Sequence, residues 1–208
     1  DWSPFFHAWE MKGIYPNILD SKKYGAEAGK LYADGRKLLE MIVSDKLLTA
    51  KAVFGLYPAY AINETVYTNN TEFHFPRQLM DKGLNNNNYS LADFIAPKDD
   101  FIGLFAITTG IGVKEIASEY EKKNDDYNAI MIKVLADRLA EALTEELHET
   151  VRKELWGYAH DEDLSIEELI KEKYIGIRPA PGYPSCPEHS EKDKIWNILN
   201  VEKHTGIT

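Results

Sequence analysis

Three groups of residues have the types and spacing to do chemistry. The first lies at residues 176–184, Gly-Ile-Arg-Pro-Ala-Pro-Gly-Tyr-Pro, where three prolines and two glycines in nine residues exclude a helix or a central strand. Such a segment is a stiff, extended loop whose peptide groups are left to meet water or a ligand. Arg178 offers a planar fork suited to a carboxylate or phosphate, and Tyr183, beside Gly182, offers an aromatic face open to close approach. Two readings stay open: a ligand clamp, or a structural loop whose arginine pairs with a nearby glutamate. The second group, Asp137, Glu141 and Glu145, steps along a helical pattern at four-residue intervals. Like charges at that spacing repel. The face is either solvated, or it borders a site for a cationic ligand or for a histidine from a partner, with Glu172 as a further member. The third group is Cys186 with His189, a spacing that fixes no nucleophile geometry and lacks the signature of a thiol hydrolase. No histidine stands at metal-ligand spacing, and no Gly-x-Gly-x-x-Gly or Walker loop is present, so no metal site is expected and a nucleotide would be held by another architecture.

The elements that must position these groups follow from periodicity. Residues 26–46 repeat Leu31, Leu38, Leu39, Ile42 and Val43 near helical spacing. Short β-favouring runs at 52–56, 65–68 and 72–75, separated by turn residues, predict an antiparallel meander. The most apolar run, 102–109, predicts a central strand broken by Gly110 and Gly112. Residues 85–88 read as a polar loop. A helical region begins at 115–123, and 125–156 is the longest periodic segment. Its stripe of Tyr127, Met131, Val134, Leu135, Leu139, Ala142, Leu143, Leu147, Val151 and Leu155 makes it the main support of the core. Ser165 with Glu168 forms a capping box for a helix that runs until just before the proline loop, and a last helix covers 192–199. Trp2, Phe5, Phe6 and Trp9 crowd residues 1–20, which are expected to lie as an arm across the rest.

With 208 residues the chain can bury a substantial core, and no composition shift marks a second domain. The net charge of −10 argues against a nucleic-acid binder. No apolar run is long enough to cross a bilayer, and no signal peptide is evident. Asn-x-Ser/Thr triplets at Asn63, Asn69 and Asn88 then read as chance matches, and a lone cysteine fits a cytoplasmic protein. Beginning on Asp1 without a methionine, the sequence reads as part of a longer chain.

The run Arg-Pro-Ala-Pro-Gly-Tyr-Pro-Ser-Cys-Pro-Glu-His-Ser-Glu-Lys at 178–192 resembles the C-terminal activation domain of cobalamin-dependent methionine synthase. So do Leu-Ala-Asp-Arg-Leu-Ala-Glu-Ala at 135–142, Asp-Tyr-Asn at 126–128 and the opening Asp-Trp-Ser-Pro-Phe-Phe. Tyr-Gly-Ala-Glu-Ala-Gly at 24–29, Leu-Ala-Asp-Phe-Ile-Ala-Pro at 91–97 and Val-Glu-Lys-His-Thr-Gly at 201–206 extend the resemblance, in family order, from end to end.

The resemblance implies an α+β, C-shaped single domain over 1–208, built on a twisted antiparallel sheet flanked by helices, with S-adenosylmethionine on its inner surface. The family returns oxidised cobalamin to methylcobalamin, using an electron from flavodoxin or a flavoprotein reductase and a methyl group from S-adenosylmethionine. This sustains methyl transfer from methyltetrahydrofolate to homocysteine. Carried over by position, Arg178 would hold the methionine carboxylate, Ala180, Gly182 and neighbouring backbone would contact the adenosine, and Tyr183 would pack on the ligand. Asp1, Glu141 and Glu172 would surround the ammonium and sulfonium, and Asp137 would receive a histidine from the docking cobalamin domain. The family continues past the 201–206 element into further aromatic ligand contacts, so the C-terminal end of the domain is expected to be missing here. An alternative follows: a docking module for the cobalamin domain and reductase that no longer binds the ligand. Lys22, Lys23, Arg36 and Lys37 are candidates for a basic patch facing an acidic flavodoxin. No residue supplies a nucleophile for a sulfonium methyl, so the domain alone is not expected to be catalytic.

Overall fold

The computed structural model of the chain describes residues 1–80 and 87–207, so Asn85 and Asn86 of the polar tract lie outside the described residues. The chain divides into two compact units, one of residues 1–51 with 107–147 and one of residues 52–106 with 148–208.

The first unit is helical. Helix α1 (Ser3–His7) carries a proline in its first turn, where the missing N–H costs nothing. Helix α2 (Gly25–Ser44) starts and ends within two residues of the expected bounds and buries Leu31, Leu38 and Ile42. Helix α3 (Val113–Lys122) follows the left-handed Gly112, and α4 (Asp126–Thr150) contributes Ala129, Met131, Ile132 and Leu135. Phe5 and Phe6 are fully buried among these side chains, so the aromatic segment is a structural centre of the unit. Trp2 meets Phe5 and Tyr32 edge-on at 5.0 and 4.9 Å. Edge-to-face contacts of this kind add about 0.5–1.5 kcal/mol beyond area burial.

The second unit is built on a four-stranded antiparallel sheet of order β3-β2-β1-β4. The strands are β1 (Thr49–Ile62), β2 (Thr65–Thr68), β3 (Thr71–His74) and β4 (Asp100–Ile111). Asn69 and Asn70, both left-handed, make the two-residue turn between the paired Thr68 and Thr71, the conformation a tight hairpin asks of asparagine. Alternation sends Ala59, Ala61, Val66, Phe73, Ile102, Leu104 and Ala106 to one face, against Cys186, Leu199 and Val201. Two expectations change here. β1 is far longer than residues 52–56, and β4, predicted as a central strand, stands at one end of the strand order. Its alternate residues Ile102, Leu104 and Ala106 are buried, while Gly103, Phe105 and Ile107 between them are half-buried and Phe101 is exposed, so the two faces of the run are unequally covered.

The long periodic segment is α4 followed directly by a π-helical turn (Val151–Leu155). Within it the expected stripe is altered. Tyr127 and Leu155 are exposed, whereas Ile132, Ala136 and Arg152 are buried. Helix α5 (Ile166–Ile170) has the expected capping box, with Ser165 and Glu168 each accepting from the other's backbone N–H. It does not reach the proline loop, because the left-handed Glu172 ends it after five residues. Helices α6 (Glu191–Leu199) and α7 (Val201–Thr205) are separated by the left-handed Asn200. Among the described residues no helix is long and apolar enough to cross a membrane.

Candidate functional site

The proline loop is irregular and extended, as its composition requires. Its second half closes on itself: Gly182 N–H donates to Cys186 O at 2.8 Å, Tyr183 N–H to Ala180 O at 3.1 Å, and Cys186 N–H to Tyr183 O at 2.9 Å. Leu91 N–H donates to Ser185 O at 2.8 Å, tying the turn to the 3₁₀ turn Leu91–Phe94. Gly182 sits at φ 105°, and a Cβ there would fall inside the imidazole of His189. Both backbone and space therefore require glycine at this position. The result is a rigid turn that displays Ala180, Gly182 and Tyr183 at the surface, with the tyrosine ring 61% exposed. Arg178, on the first half, is half-buried, and Glu172 is exposed.

Beneath the first half lies a cluster that sequence reasoning missed. Arg152 is fully buried. It donates from Nε to both Glu162 oxygens, at 3.2 and 3.0 Å, and from Nη2 to Glu162 Oε1. Its guanidinium lies 4.5 Å from the Tyr174 ring centre, a cation–π contact strengthened by exclusion of water. His148, one helical turn earlier, meets the same ring edge-on at 4.8 Å. Burial, and then the charges of Arg152 and Arg178, push the His148 imidazole down to about 3, so it is neutral at physiological pH. Tyr158 donates its hydroxyl to Ile175 O at 3.2 Å and packs edge-on against Trp156. One signal was available: Arg152 and Glu162 are opposite charges beside the apolar stripe, although nothing in their spacing announces a pair.

Asp1, Asp137, Glu141 and Glu145 belong to the first unit. Asp1 is exposed and accepts from Ser3 N–H at 2.8 Å and Ser3 Oγ at 2.7 Å. Asp137 and Glu141 are exposed on α4, while Glu145 is half-buried, so the expected carboxylate row grades from open to sheltered. Cys186 is buried, and burial, with the nearby Glu191 charge, pushes its thiol up to about 11. It is therefore the opposite of an activated nucleophile. Among the described residues no three His, Cys, Asp or Glu side chains are grouped to hold a metal.

The arginine and the exposed aromatic ring of the proline loop are residue types suited to the carboxylate and the planar group of a ligand. Two comparisons give these residues their context. The crystal structure of the MetH reactivation domain bound to AdoHcy superposes with a TM-score of 0.92 at 48% sequence identity, covering 100% of this chain and 67% of that one. The family model described as the vitamin B12 dependent methionine synthase activation domain matches residues 1–208, and the chain belongs to that family.

Proposed function

We propose that the chain binds S-adenosylmethionine and presents its methyl group for the reductive methylation of cobalamin within methionine synthase. The single observation that supports this most is the AdoHcy bound to a relative 48% identical over the whole of this chain. In this reading Arg178 forks onto the amino-acid carboxylate, and Ala180 and Gly182 offer backbone to the adenosine. Tyr183, exposed on a turn that cannot relax, lies against the ligand. Asp1, Glu141 and Glu172 place negative charge for the ammonium and sulfonium, and Asp137 meets a histidine of the docking cobalamin domain. S-adenosylmethionine would supply an electrophilic methyl group, and cobalamin on another domain its acceptor, with the electron delivered by flavodoxin or a flavoprotein reductase. The chain's own part is to bind, orient and hold charge.

Calorimetric titration with S-adenosylhomocysteine tests the reading directly, since a docking module without ligand binding would release no heat. Arg178→Ala should weaken binding by about 1.5–3 kcal/mol, the range for a charge-assisted hydrogen bond, and Arg178→Lys should recover only part of it. Unchanged affinity in the alanine variant would move Arg178 to a structural role. The isolated chain should form no methionine from homocysteine, and turnover without a cobalamin domain would overturn the division of labour.

A further inference from the structure

We propose that Tyr158 and Tyr174 are positioning residues for Arg178, locked in place by the Arg152–Glu162 pair and His148, so that the guanidinium is fixed before the carboxylate of an S-adenosyl ligand arrives. The inference rests on the reading in which Arg178 holds that carboxylate.

Arg178 is suspended between two anchored points. On its C-terminal side, Pro179 fixes one backbone torsion and the closed turn from Ala180 to Cys186 follows at once. On its N-terminal side, Tyr174 and Ile175 are each held by the 148–162 stretch, one by its ring and the other by its carbonyl. The Tyr174 ring takes Arg152 at 4.5 Å and the edge of His148 at 4.8 Å. The Ile175 carbonyl accepts from Tyr158 at 3.2 Å. Gly176 then leaves room for that hydroxyl, since a Cβ would lie 3.0 Å from it. Four residues from Tyr174 to Arg178 span at most ~14 Å of extended chain, so fixing the tyrosine bounds where the arginine can stand.

The cluster is also not arranged as an ion pair made only for stability. Glu162 takes the Nε and Nη2 edge of Arg152, its face is given to Tyr174, and Nη1 has no hydrogen-bond partner among the described residues. A guanidinium buried at the cost of one unsatisfied donor, on a π-helical turn of the kind often found at functional sites, has been placed for the ring it carries. With His148 neutral, Arg152 carries the fixed positive charge at the ring.

A double-mutant cycle on S-adenosylhomocysteine affinity separates positioning from simple support. Tyr174→Leu should weaken binding about tenfold in the wild-type background and less than about twofold in the Arg178→Ala background, because the loss passes through the arginine. Tyr174→Phe, which keeps the ring, should lose less than Tyr174→Leu. Tyr158→Phe removes one exposed hydroxyl without disturbing the core, and should cost about threefold with Arg178 present and nothing without it, so the cycle can be closed even if Tyr174→Leu does not fold. Equal losses in both backgrounds, or no loss from Tyr158→Phe when Arg178 is present, would overturn the proposal. A wild-type chain that binds no S-adenosylhomocysteine would instead overturn the ligand reading beneath it.

Discussion

Two arginines of the second unit make forked pairs with carboxylates, and their surroundings give the pairs opposite meanings. Arg77 grips Asp93 with two bonds of 2.6 Å, donates also to Asn88 O, and stands 3.6 Å from Glu64, with about a third of the Arg77 and Asp93 side chains open to solvent. Arg152 grips Glu162 with its side chain wholly buried and that of Glu162 8% exposed. Water can replace either partner of the first pair, but neither partner of the second. The open pair ties Arg77 to the 3₁₀ turn that Ser90 and Asp93 cap, and can be lost cheaply. Removing one partner of the buried pair strands a charge whereas removing both does not, so the pair is not a net source of stability.

The largest effect expected from this contrast is at Glu162. Glu162→Gln leaves the Arg152 charge buried and poorly compensated, and should lower the unfolding free energy by about 3–5 kcal/mol, read from urea denaturation. Replacing the pair together, by Arg152→Met with Glu162→Leu, should cost less than Glu162→Gln alone; a double variant worse than the single would remove the distinction between the two sites.

Acid separates the regions a second way. The folded His148 titrates near 3, below its ordinary 6.5, so the unfolded chain takes up the proton first and stability falls as pH drops from 6.5 toward 3. Asp93, held below its ordinary 3.8 by hydrogen bonds from Arg77 and the Ser90 backbone, contributes stability above that value and loses it at lower pH. Between pH 6.5 and 4.5 the slope should therefore report His148. His148→Phe, which keeps an aromatic edge on Tyr174, should flatten it, and parallel slopes for variant and wild type would show that the imidazole is not the group titrating. The smallest effect is expected at Arg77→Ala, about 0.2–1 kcal/mol by the same denaturation and diminished by salt.

The sequence made the elements legible wherever one local rule governed them. The Ser165 capping box, the helix at 25–44 and the strand at 65–68 need only neighbours in the chain to be read. The Pro-Gly loop was legible as stiff and exposed, and Arg178, Gly182 and Tyr183 were named from it, but the interior that holds it was not. Tyr174 meets Arg152 across 22 residues (174 − 152) and Glu162 meets Arg152 across ten, and no periodicity connects them. The place of the 102–109 run in its sheet escaped for a related reason, because strand order is decided by which partners are available and not by the strand's own apolarity.

The π turn bears on how this chain can change in length. Trp156 N–H donates to Val151 O at 2.8 Å, five residues back, so the helix holds one residue more in that turn than an α-helix would. Removing a residue from 151–155 would let the backbone close to the ordinary four-residue spacing without breaking the helix. The same deletion would turn later side chains only slightly relative to those before it, because five residues at the π spacing and four at the α spacing each make about one turn. A one-residue gap in the regular turns of the helix would keep the hydrogen-bond ladder but turn every later side chain by about 100°. Within the π turn the loss is taken up locally, so deletion scanning should find folding more tolerant at 151–155 than in the turns of α4 before it.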